Sequence, residues 1–254
     1  MADPRAFYDD LAGDYHLMFG DWWASAERQG VVIGELLRRN GVHPPAALLD
    51  CTCGIGTQAL PLAAQGFRVT GSDLSTAAVA RAATEAHDRG IAIELSVADV
   101  RALPAPARPF DAVVSCDNSL PHLLTDADLA TALHAIRTQL DTGGLFVAST
   151  RDYHQLLRDE VHGVLPAVRE VEGRRRIVGQ AWQWSADRRT VEINVFFLRQ
   201  EGPEWTTVVR STTYRALRRD ELSAALAAAG FRDIRWLTPD ESGYYQPVVV
   251  AGAA

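Results

Sequence analysis

The strongest constraint on the fold is an alternation of short apolar segments with longer segments of helical periodicity. The strand candidates in the first part of the chain are residues 46–49, 67–71, 91–97, 110–115 and 144–149. The helix candidates between them are residues 57–65, 75–89 and 126–140, and Gly143-Gly144 is expected to end the third helix. Strands that alternate with helices at this spacing predict a doubly wound α/β architecture with a mostly parallel sheet.

The alternation is interrupted once, between residues 166 and 215. There Val191, Ile193 and Val195 recur with a period of two, which predicts a small antiparallel β insertion with one face exposed to water. The α/β pattern then returns with strand candidates at 231–237 and 247–251, which completes a seven-stranded sheet. The predicted organisation is an N-terminal helical segment (1–45), an α/β core (46–165 and 216–254) and the insertion (166–215).

Composition excludes several functions and partners. All 25 basic residues are Arg, so Schiff-base lysine chemistry and the phosphate-binding Lys of a P-loop are absent. The net charge of −7 argues against nucleic acid or an anionic membrane as a partner. The early acidic residues and the short apolar stretches predict neither a signal peptide nor a membrane span, and an odd count of three Cys favours a reducing, cytoplasmic location.

The turn after the first strand is the most informative local motif. It reads Asp50-Cys51-Thr52-Cys53-Gly54-Ile55-Gly56-Thr57 and leads into a helix. Gly54 and Gly56 allow a tight turn and a close approach of the backbone to a ligand, and the helix start offers free N–H groups. The glycine spacing alone also fits a loose dinucleotide fingerprint.

Acidic residues follow three successive strands. Asp73 stands where a carboxylate can accept both hydroxyls of a ribose, and Asp99 where one can bind the exocyclic amine of adenine. With Asp50 they suit an adenosine that carries a cationic amino-acid tail. S-adenosylmethionine is such a ligand and is the predicted cofactor, whereas a nicotinamide dinucleotide would bring negative charge to the turn. A nicotinamide-dependent reductase stays an alternative because of the glycine spacing. No metal is predicted, since the Cys spacing matches no zinc pattern.

These motifs resemble those of class I S-adenosylmethionine-dependent methyltransferases, and the similarity extends over nearly the whole chain. The likeness is greatest to the glycine and glycine/sarcosine N-methyltransferase branch. The segments that carry it are residues 7–15, Asp21-Trp22, Asp50–Thr57, Gly71–Ser75, Asn118–Leu123 and Ser149–Tyr153.

The resemblance implies a Rossmann-like methyltransferase fold and a set of cofactor contacts. In this family the N-terminal helices fold over the cofactor as a lid. The expected contacts reach the methionine part, the ribose and the adenine, and some of them come from the lid. The residues expected to make them are Asp50, Gly54, Gly56, Asp73, Leu74, Asp99, Val100, Asp117, Tyr8 and Arg28.

The resemblance also implies an acceptor site. Asn118 and Arg151 would hold the carboxylate of a small amino acid, and His122 would lie beside the cofactor. The chain departs from the family at Thr52, where the superfamily has Gly, and at Asp117, where the glycine enzymes usually have Gly. A carboxylate at 117 favours a more cationic acceptor, and Asp117 and His122 are the candidates to remove the amine proton.

The predicted function is methyl transfer from S-adenosylmethionine to the nitrogen of a small amino acid or related amine. The predicted partner is thus a small molecule, without nucleic acid or membrane, and a homo-oligomer is compatible with the sequence. An O- or C-methyltransferase of a small secondary metabolite would share the same sheet and cofactor turn. A non-catalytic domain that binds the cofactor is the third alternative.

Overall fold

The computed structural model describes residues 3–171 and 173–253. Its strands are β1 (Ala47–Asp50), β2 (Arg68–Asp73), β3 (Glu94–Val97), β4 (Phe110–Ser115), β5 (Leu140–Ser149), β6 (Gly163–Val171), β7 (Arg174–Trp184), β8 (Thr190–Glu201), β9 (Glu204–Arg215), β10 (Phe231–Leu237) and β11 (Val248–Ala253). Its helices are α1 (Pro4–Leu11), α2 (Trp22–Arg39), α3 (Ala59–Ala64), α4 (Thr76–Asp88), α5 (Asp126–Gln139), α6 (Tyr153–Arg158), α7 (Arg219–Ala228) and α8 (Pro239–Ser242).

Seven strands form the main sheet in the order β10-β11-β5-β4-β1-β2-β3. The sheet is parallel except at β11, which runs antiparallel to both β5 and β10. In the central strand β4, residues 112–115 are buried because helices cover both faces of the sheet. The predicted doubly wound, mostly parallel seven-stranded sheet is therefore confirmed.

The junction of α5 and β5 differs from the prediction. The helix ends at Gln139 and the strand begins at Leu140, so Gly143 and Gly144 lie inside β5 and do not end the helix. Gly143 has φ +79°, and the register of β4 against β5 shifts between Phe110 and Ala112. The glycine pair thus accommodates an irregularity in strand pairing, which has the same sequence signature as a helix end.

The second sheet has four antiparallel strands in the order β6-β7-β8-β9. It begins at Gly163, a little before the predicted start of the insertion at 166. It adds β6 to the strand candidates that the sequence offers at residues 174–184, 190–197 and 205–214. Its inner face contributes Val191, Ile193 and Phe197 to a core that also includes Phe7 and Leu11 of α1. The first helix therefore lies against the antiparallel sheet. The division of the chain at 45, 165 and 215 stays a prediction.

The helices of the described residues are too short or too polar to cross a lipid bilayer.

Candidate active site

A cavity of about 380 Å³ opens at the carboxyl edge of the parallel strands. This main cavity is bordered by the residues that follow β2, β3 and β4, because the carboxyl ends of parallel strands meet at one edge of the sheet. Seven of the predicted site residues line it: Tyr8, Asp73, Leu74, Asp99, Val100, Asp117 and His122.

The glycine turn is shaped by left-handed backbone and fixed by Asp73. Gly54 has φ +53° and Gly56 has φ +93°, a region that glycine enters without steric cost. The carboxylate of Asp73 accepts hydrogen bonds from the N–H of Gly54 and of Ser75, both at 2.9 Å. Burial raises the pKa of Asp73 although these bonds oppose the shift. Since a carboxylate offers about four acceptor sites, these bonds leave capacity for hydroxyl groups in the cavity.

Asp50 is a buried carboxyl group with spare hydrogen-bonding capacity. It is 1% exposed, and its Oδ1 accepts a bond of 3.3 Å from the N–H of Thr52. Its Oδ2 is buried and has no partner among the described residues. Burial raises the pKa of Asp50 to about 7, and the charge of Asp73 adds to the shift. An unpartnered acidic oxygen behind the turn fits a ligand that carries a positive group.

Asp99 also lines the main cavity and is held by Arg101. Its oxygens accept bonds from Nε of Arg101 at 3.1 Å and from Nη2 at 2.7 Å, while Nη1 of Arg101 donates to Asp128 at 2.7 Å. The hydrogen bonds from Arg101 lower the pKa of Asp99, so it is a carboxylate at neutral pH. The short 3₁₀ turn after it begins with Val100, which presents an apolar wall to the same cavity.

The N-terminal helices are attached directly to the cofactor turn and its neighbour. Asp9 of α1 accepts bonds from the hydroxyl of Ser75 at 2.6 Å and from the N–H of Ala77 at 3.0 Å, at the start of α4. The indole of Trp22 in α2 donates to the hydroxyl of Thr57 at 3.1 Å. Pro4 and Tyr8 of α1 also line the main cavity. The predicted role of these helices as a lid stays a prediction.

A smaller cavity of about 140 Å³ lies between α1 and the antiparallel sheet. Three residues, Tyr8, Tyr15 and Asp117, line both it and the main cavity. Its other polar lining residues are Arg151, Gln180, Thr212 and Tyr214. The two cavities are therefore adjacent and share a wall formed by these three residues.

Arg151 is the cationic residue of the smaller cavity. Its Nη1 is buried without a hydrogen-bond partner among the described residues, and its guanidinium lies 4.8 Å from the ring centroid of Trp182 and 5.4 Å from that of Tyr214. Its backbone N–H donates to Oδ1 of Asn118 at 3.0 Å. Cation–π contacts orient the guanidinium but leave donors available, so Arg151 can bind an anion.

Asn118 is placed behind this site. It is 2% exposed and lines neither cavity, and its amide also lies within hydrogen-bond distance of the Tyr153 hydroxyl. In the structure Asn118 therefore positions the backbone at Arg151. Its predicted contact with a substrate carboxylate stays a prediction.

His122 belongs to a buried aromatic cluster. Its Nε2 lies 2.9 Å from the hydroxyl of Tyr8, which lies 3.2 Å from the hydroxyl of Tyr214, and the rings of His122 and Tyr214 are 4.1 Å apart. Burial, with the nearby charge of Arg151, lowers the pKa of His122 to about 3. The imidazole is thus neutral at physiological pH and is a weak base.

Asp117 has an unusual backbone conformation. Its φ is +60° and that of Asn118 is +65°, so two consecutive non-glycine residues occupy the left-handed region. The carboxylate of Asp117 accepts a hydrogen bond of 2.9 Å from Tyr15 and another from the hydroxyl of Tyr245. The structure thus holds Asp117 in a fixed orientation at the wall between the cavities.

Some predicted residues lie outside the two cavities. Asp50, Gly54 and Gly56 form the turn behind the main cavity. Arg28 is exposed on α2 and borders a separate groove with Tyr244 and Tyr245, so the structure does not bring it to the main cavity. The predicted roles of all these residues stay predictions.

Sequence reasoning missed most of the residues in and around the smaller cavity. These are Tyr15, Gln180, Trp182, Thr212, Tyr214 and Tyr245. The signal that pointed to one of them was the family-like segment of residues 7–15, which ends at Tyr15.

A family match and the fold both bear on the class of protein. Residues 48–144 match the methyltransferase domain family, and this segment contains the glycine turn, Asp73 and Asp99. Together with the sheet order and the cavity at its carboxyl edge, the match confirms the resemblance to the class I S-adenosylmethionine-dependent methyltransferases. The prediction that the cofactor is S-adenosylmethionine is thereby confirmed.

Similarity to particular proteins is more distant. The chain is 33% identical over 138 residues to a glycine/sarcosine N-methyltransferase of Parasynechococcus marenigrum, a match that covers 54% of this chain and 48% of the relative. The chain thus aligns with about half the length of that curated relative.

Solved structures match over a greater length. DesVI of Streptomyces venezuelae has 23% identity and a TM-score of 0.78, with 100% of both chains covered. CalS10 of Micromonospora echinaspora, an amino pentose methyltransferase with S-adenosylmethionine bound, has 22% identity and a TM-score of 0.74, with 95% of both chains covered. These likenesses show a common fold.

Proposed function

We propose that this protein transfers a methyl group from S-adenosylmethionine to the nitrogen of a small amino acid or a closely related small amine. The observation that carries the proposal is the meeting of two cavities of different character. The main cavity has acids at strand ends that would bind an adenosine, and the smaller one holds a guanidinium whose Nη1 has no partner among the described residues.

The residues at the main cavity fit the cofactor part by part. Asp73 would accept the ribose hydroxyls, Asp99 with Val100 would bind the adenine, and Asp50 would compensate the ammonium of the methionine part. When bound, the cofactor supplies a methyl group already activated on a sulfonium. The chain therefore needs no nucleophile of its own, and its task is to bind and orient.

At the smaller cavity, Arg151 would bind the carboxylate of the acceptor with the planar fork of its guanidinium. The rings of Trp182 and Tyr214 fix that fork, so little side-chain entropy remains to be lost on binding. Since α1 and the antiparallel sheet flank this cavity, they would limit the access of bulk water to the shared wall.

The amine must lose a proton before it can react, because amines with a pKa of about 9–10 are mostly protonated at neutral pH. His122 is poorly suited to take that proton, since its own pKa is about 3. Its place is as a neutral hydrogen-bond partner of Tyr8. Asp117, whose carboxylate lines both cavities, is the better candidate to accept the proton of the amine.

Relatives give support for nitrogen as the acceptor atom. One curated relative is described as acting on glycine and sarcosine, and one structural neighbour as acting on an amino pentose. Both amino acids and amino sugars therefore belong in the test, together with hydroxyl and carbon acceptors of similar size.

The experiment has two stages. Calorimetry first compares S-adenosylmethionine with a nicotinamide dinucleotide, and only the former is expected to bind. The protein is then incubated with methyl-labelled cofactor and a library of amino acids, simple amines, amino sugars and matched hydroxyl compounds, with product masses as the readout.

A labelled N-methyl product from a small amine supports the proposal. Label transferred only to oxygen or carbon would replace it with the O- or C-methyltransferase alternative. Cofactor binding without any release of S-adenosylhomocysteine across the library would instead favour the non-catalytic alternative.

A further inference from the structure

Asp117 differs from the other described acidic residues in its position at the wall between the two cavities. It is the one acidic side chain that lines both the main cavity and the smaller one. The other acids of the main cavity, Asp3, Asp73, Asp99 and Asp128, do not reach the smaller cavity. A charge that moved from one cavity to the other would therefore pass this carboxylate.

The structure holds that carboxylate firmly without neutralising it. Tyr15 from the N-terminal segment and Tyr245 from the segment between α8 and β11 each donate a hydroxyl hydrogen bond to it. Its own N–H donates to the hydroxyl of Ser149 at 2.8 Å. Within residues 3–171 and 173–253, no basic side chain lies within salt-bridge distance of it, although Arg151 of the smaller cavity interacts with it electrostatically. The carboxylate at the shared wall thus has no direct ionic partner.

The backbone conformation adds a second argument. Asp117 stays at φ +60°, where a non-glycine residue is disfavoured and Asp or Asn is better tolerated than other side chains. A glycine would satisfy the turn without strain, so the carboxylate is not needed to form the backbone at this position. Local strain at a cavity wall is typical of residues that act on a ligand.

The charges of the proposed reaction explain what such a carboxylate would do. Methyl transfer to a neutral amine breaks the carbon–sulfur bond, whose electron pair stays on sulfur, and forms a carbon–nitrogen bond from the amine lone pair. The positive charge therefore passes from the sulfonium to the methylated nitrogen, and the thioether left behind has a neutral sulfur. A carboxylate between the cavities stays close to the positive charge throughout.

We propose that Asp117 is a charge-selective residue, which distinguishes the sulfonium cofactor from its thioether product and restricts the acceptor to amines whose methylated product is cationic. This inference rests on the proposed function. It predicts that S-adenosylhomocysteine is bound more weakly than S-adenosylmethionine, because the attraction between the sulfonium and Asp117 is lost when the methyl group is transferred.

The test compares the dissociation constants of S-adenosylmethionine and S-adenosylhomocysteine by calorimetry, without an acceptor. The variants are Asp117→Asn and Asp117→Gly, and both are compatible with left-handed backbone, so both are expected to fold. Each is expected to weaken S-adenosylmethionine by about tenfold and to change S-adenosylhomocysteine by less than about twofold.

Asp128→Asn is the matched control. It removes one carboxylate from the wall of the main cavity but away from the smaller cavity. The ratio of the two dissociation constants should then stay within about twofold of the wild-type ratio, because the removed charge is distant from the shared wall.

The outcomes separate this inference from the proposed function. If the Asp117 variants weaken both ligands equally, or neither, the charge-selective role is wrong while the methyltransferase proposal stands. If the wild-type protein binds neither ligand, the proposed function itself is wrong. At saturating cofactor, an unchanged kcat/KM for the amine acceptor in Asp117→Asn would overturn the part of the inference that concerns the acceptor.

Discussion

The two ends of the site are built in different ways. At the cofactor end, Asp73 takes its hydrogen bonds from backbone N–H groups of nearby turns. At the acceptor end, Asp117 and His122 are held by tyrosine hydroxyls from distant parts of the chain, and Arg151 lies between aromatic rings. The glycine turn at the cofactor end is thus set by local backbone geometry, whereas the acceptor end depends mainly on side-chain contacts between segments far apart in the chain. Substitutions can reshape the acceptor end while leaving the sheet edge intact.

The largest effect that distinguishes the two ends is expected from Arg151→Ala. Loss of charge-assisted hydrogen bonds to a carboxylate should lower kcat/KM for amino-acid acceptors by about 100-fold, on the order of 3 kcal/mol. The dissociation constant of the cofactor should change by less than about twofold, because Arg151 lines only the smaller cavity of the two. Steady-state kinetics and calorimetry measure the two quantities.

An amine that lacks a carboxylate is the control substrate for Arg151→Ala, and its kcat/KM should fall much less. Equal losses for the two substrates would show that Arg151 supports the fold of the cavity and does not bind the acceptor.

The converse effect is expected from Asp73→Ala. Without the carboxylate the cofactor should bind about 30-fold more weakly, which corresponds to about 2 kcal/mol. Asp99→Ala is the comparison, with a smaller expected loss of about fivefold because Arg101 already occupies both of its oxygens. Calorimetry with S-adenosylmethionine gives both values. An unchanged dissociation constant in Asp73→Ala would remove the ribose assignment.

His122 provides a test of stability at the acceptor end. Its pKa is lowered from 6.5 to about 3, so below pH 6.5 the unfolded chain binds a proton that the folded chain does not. Stability is therefore lost as the pH falls from 6.5 towards 3. Between pH 6 and pH 5 the free energy of unfolding of the wild type should fall by about 1 kcal/mol more than that of His122→Gln. Chemical denaturation at the two pH values measures this difference, and parallel losses in both proteins would contradict the lowered pKa.

The smallest effect is expected from Asp50, at the cofactor end. Burial raises its pKa to about 7, so at pH 7 about half of the molecules carry a proton there. A cationic ligand group near Oδ2 would lower this pKa, and cofactor binding should then release about half a proton. Calorimetry in two buffers with different ionisation enthalpies counts the released protons. Asp50→Asn should release none at this position, and an equal count in both proteins would assign the release to another group.

The same contrast explains what could be predicted from the sequence. Asp73 and Asp99 follow predicted strands directly, so strand order alone places them at one edge of the sheet. Tyr245 contacts Asp117 from 128 residues further along the chain, and no local pattern links the two. The glycine pair at 143–144 was misread because a strand irregularity and a helix end both use glycine. Arg28 was expected at the cofactor because of family resemblance, but α2 presents it to another groove.

The left-handed pair Asp117-Asn118 has a consequence for how this protein can change in evolution. Only a few residues tolerate that backbone at low cost, chiefly glycine, asparagine and aspartate. In the genetic code, aspartate is one nucleotide change away from each of the other two. A lineage could therefore gain or lose a charge at this position in a single mutational event while its turn stayed intact, so its preference among amines could diversify faster than its architecture.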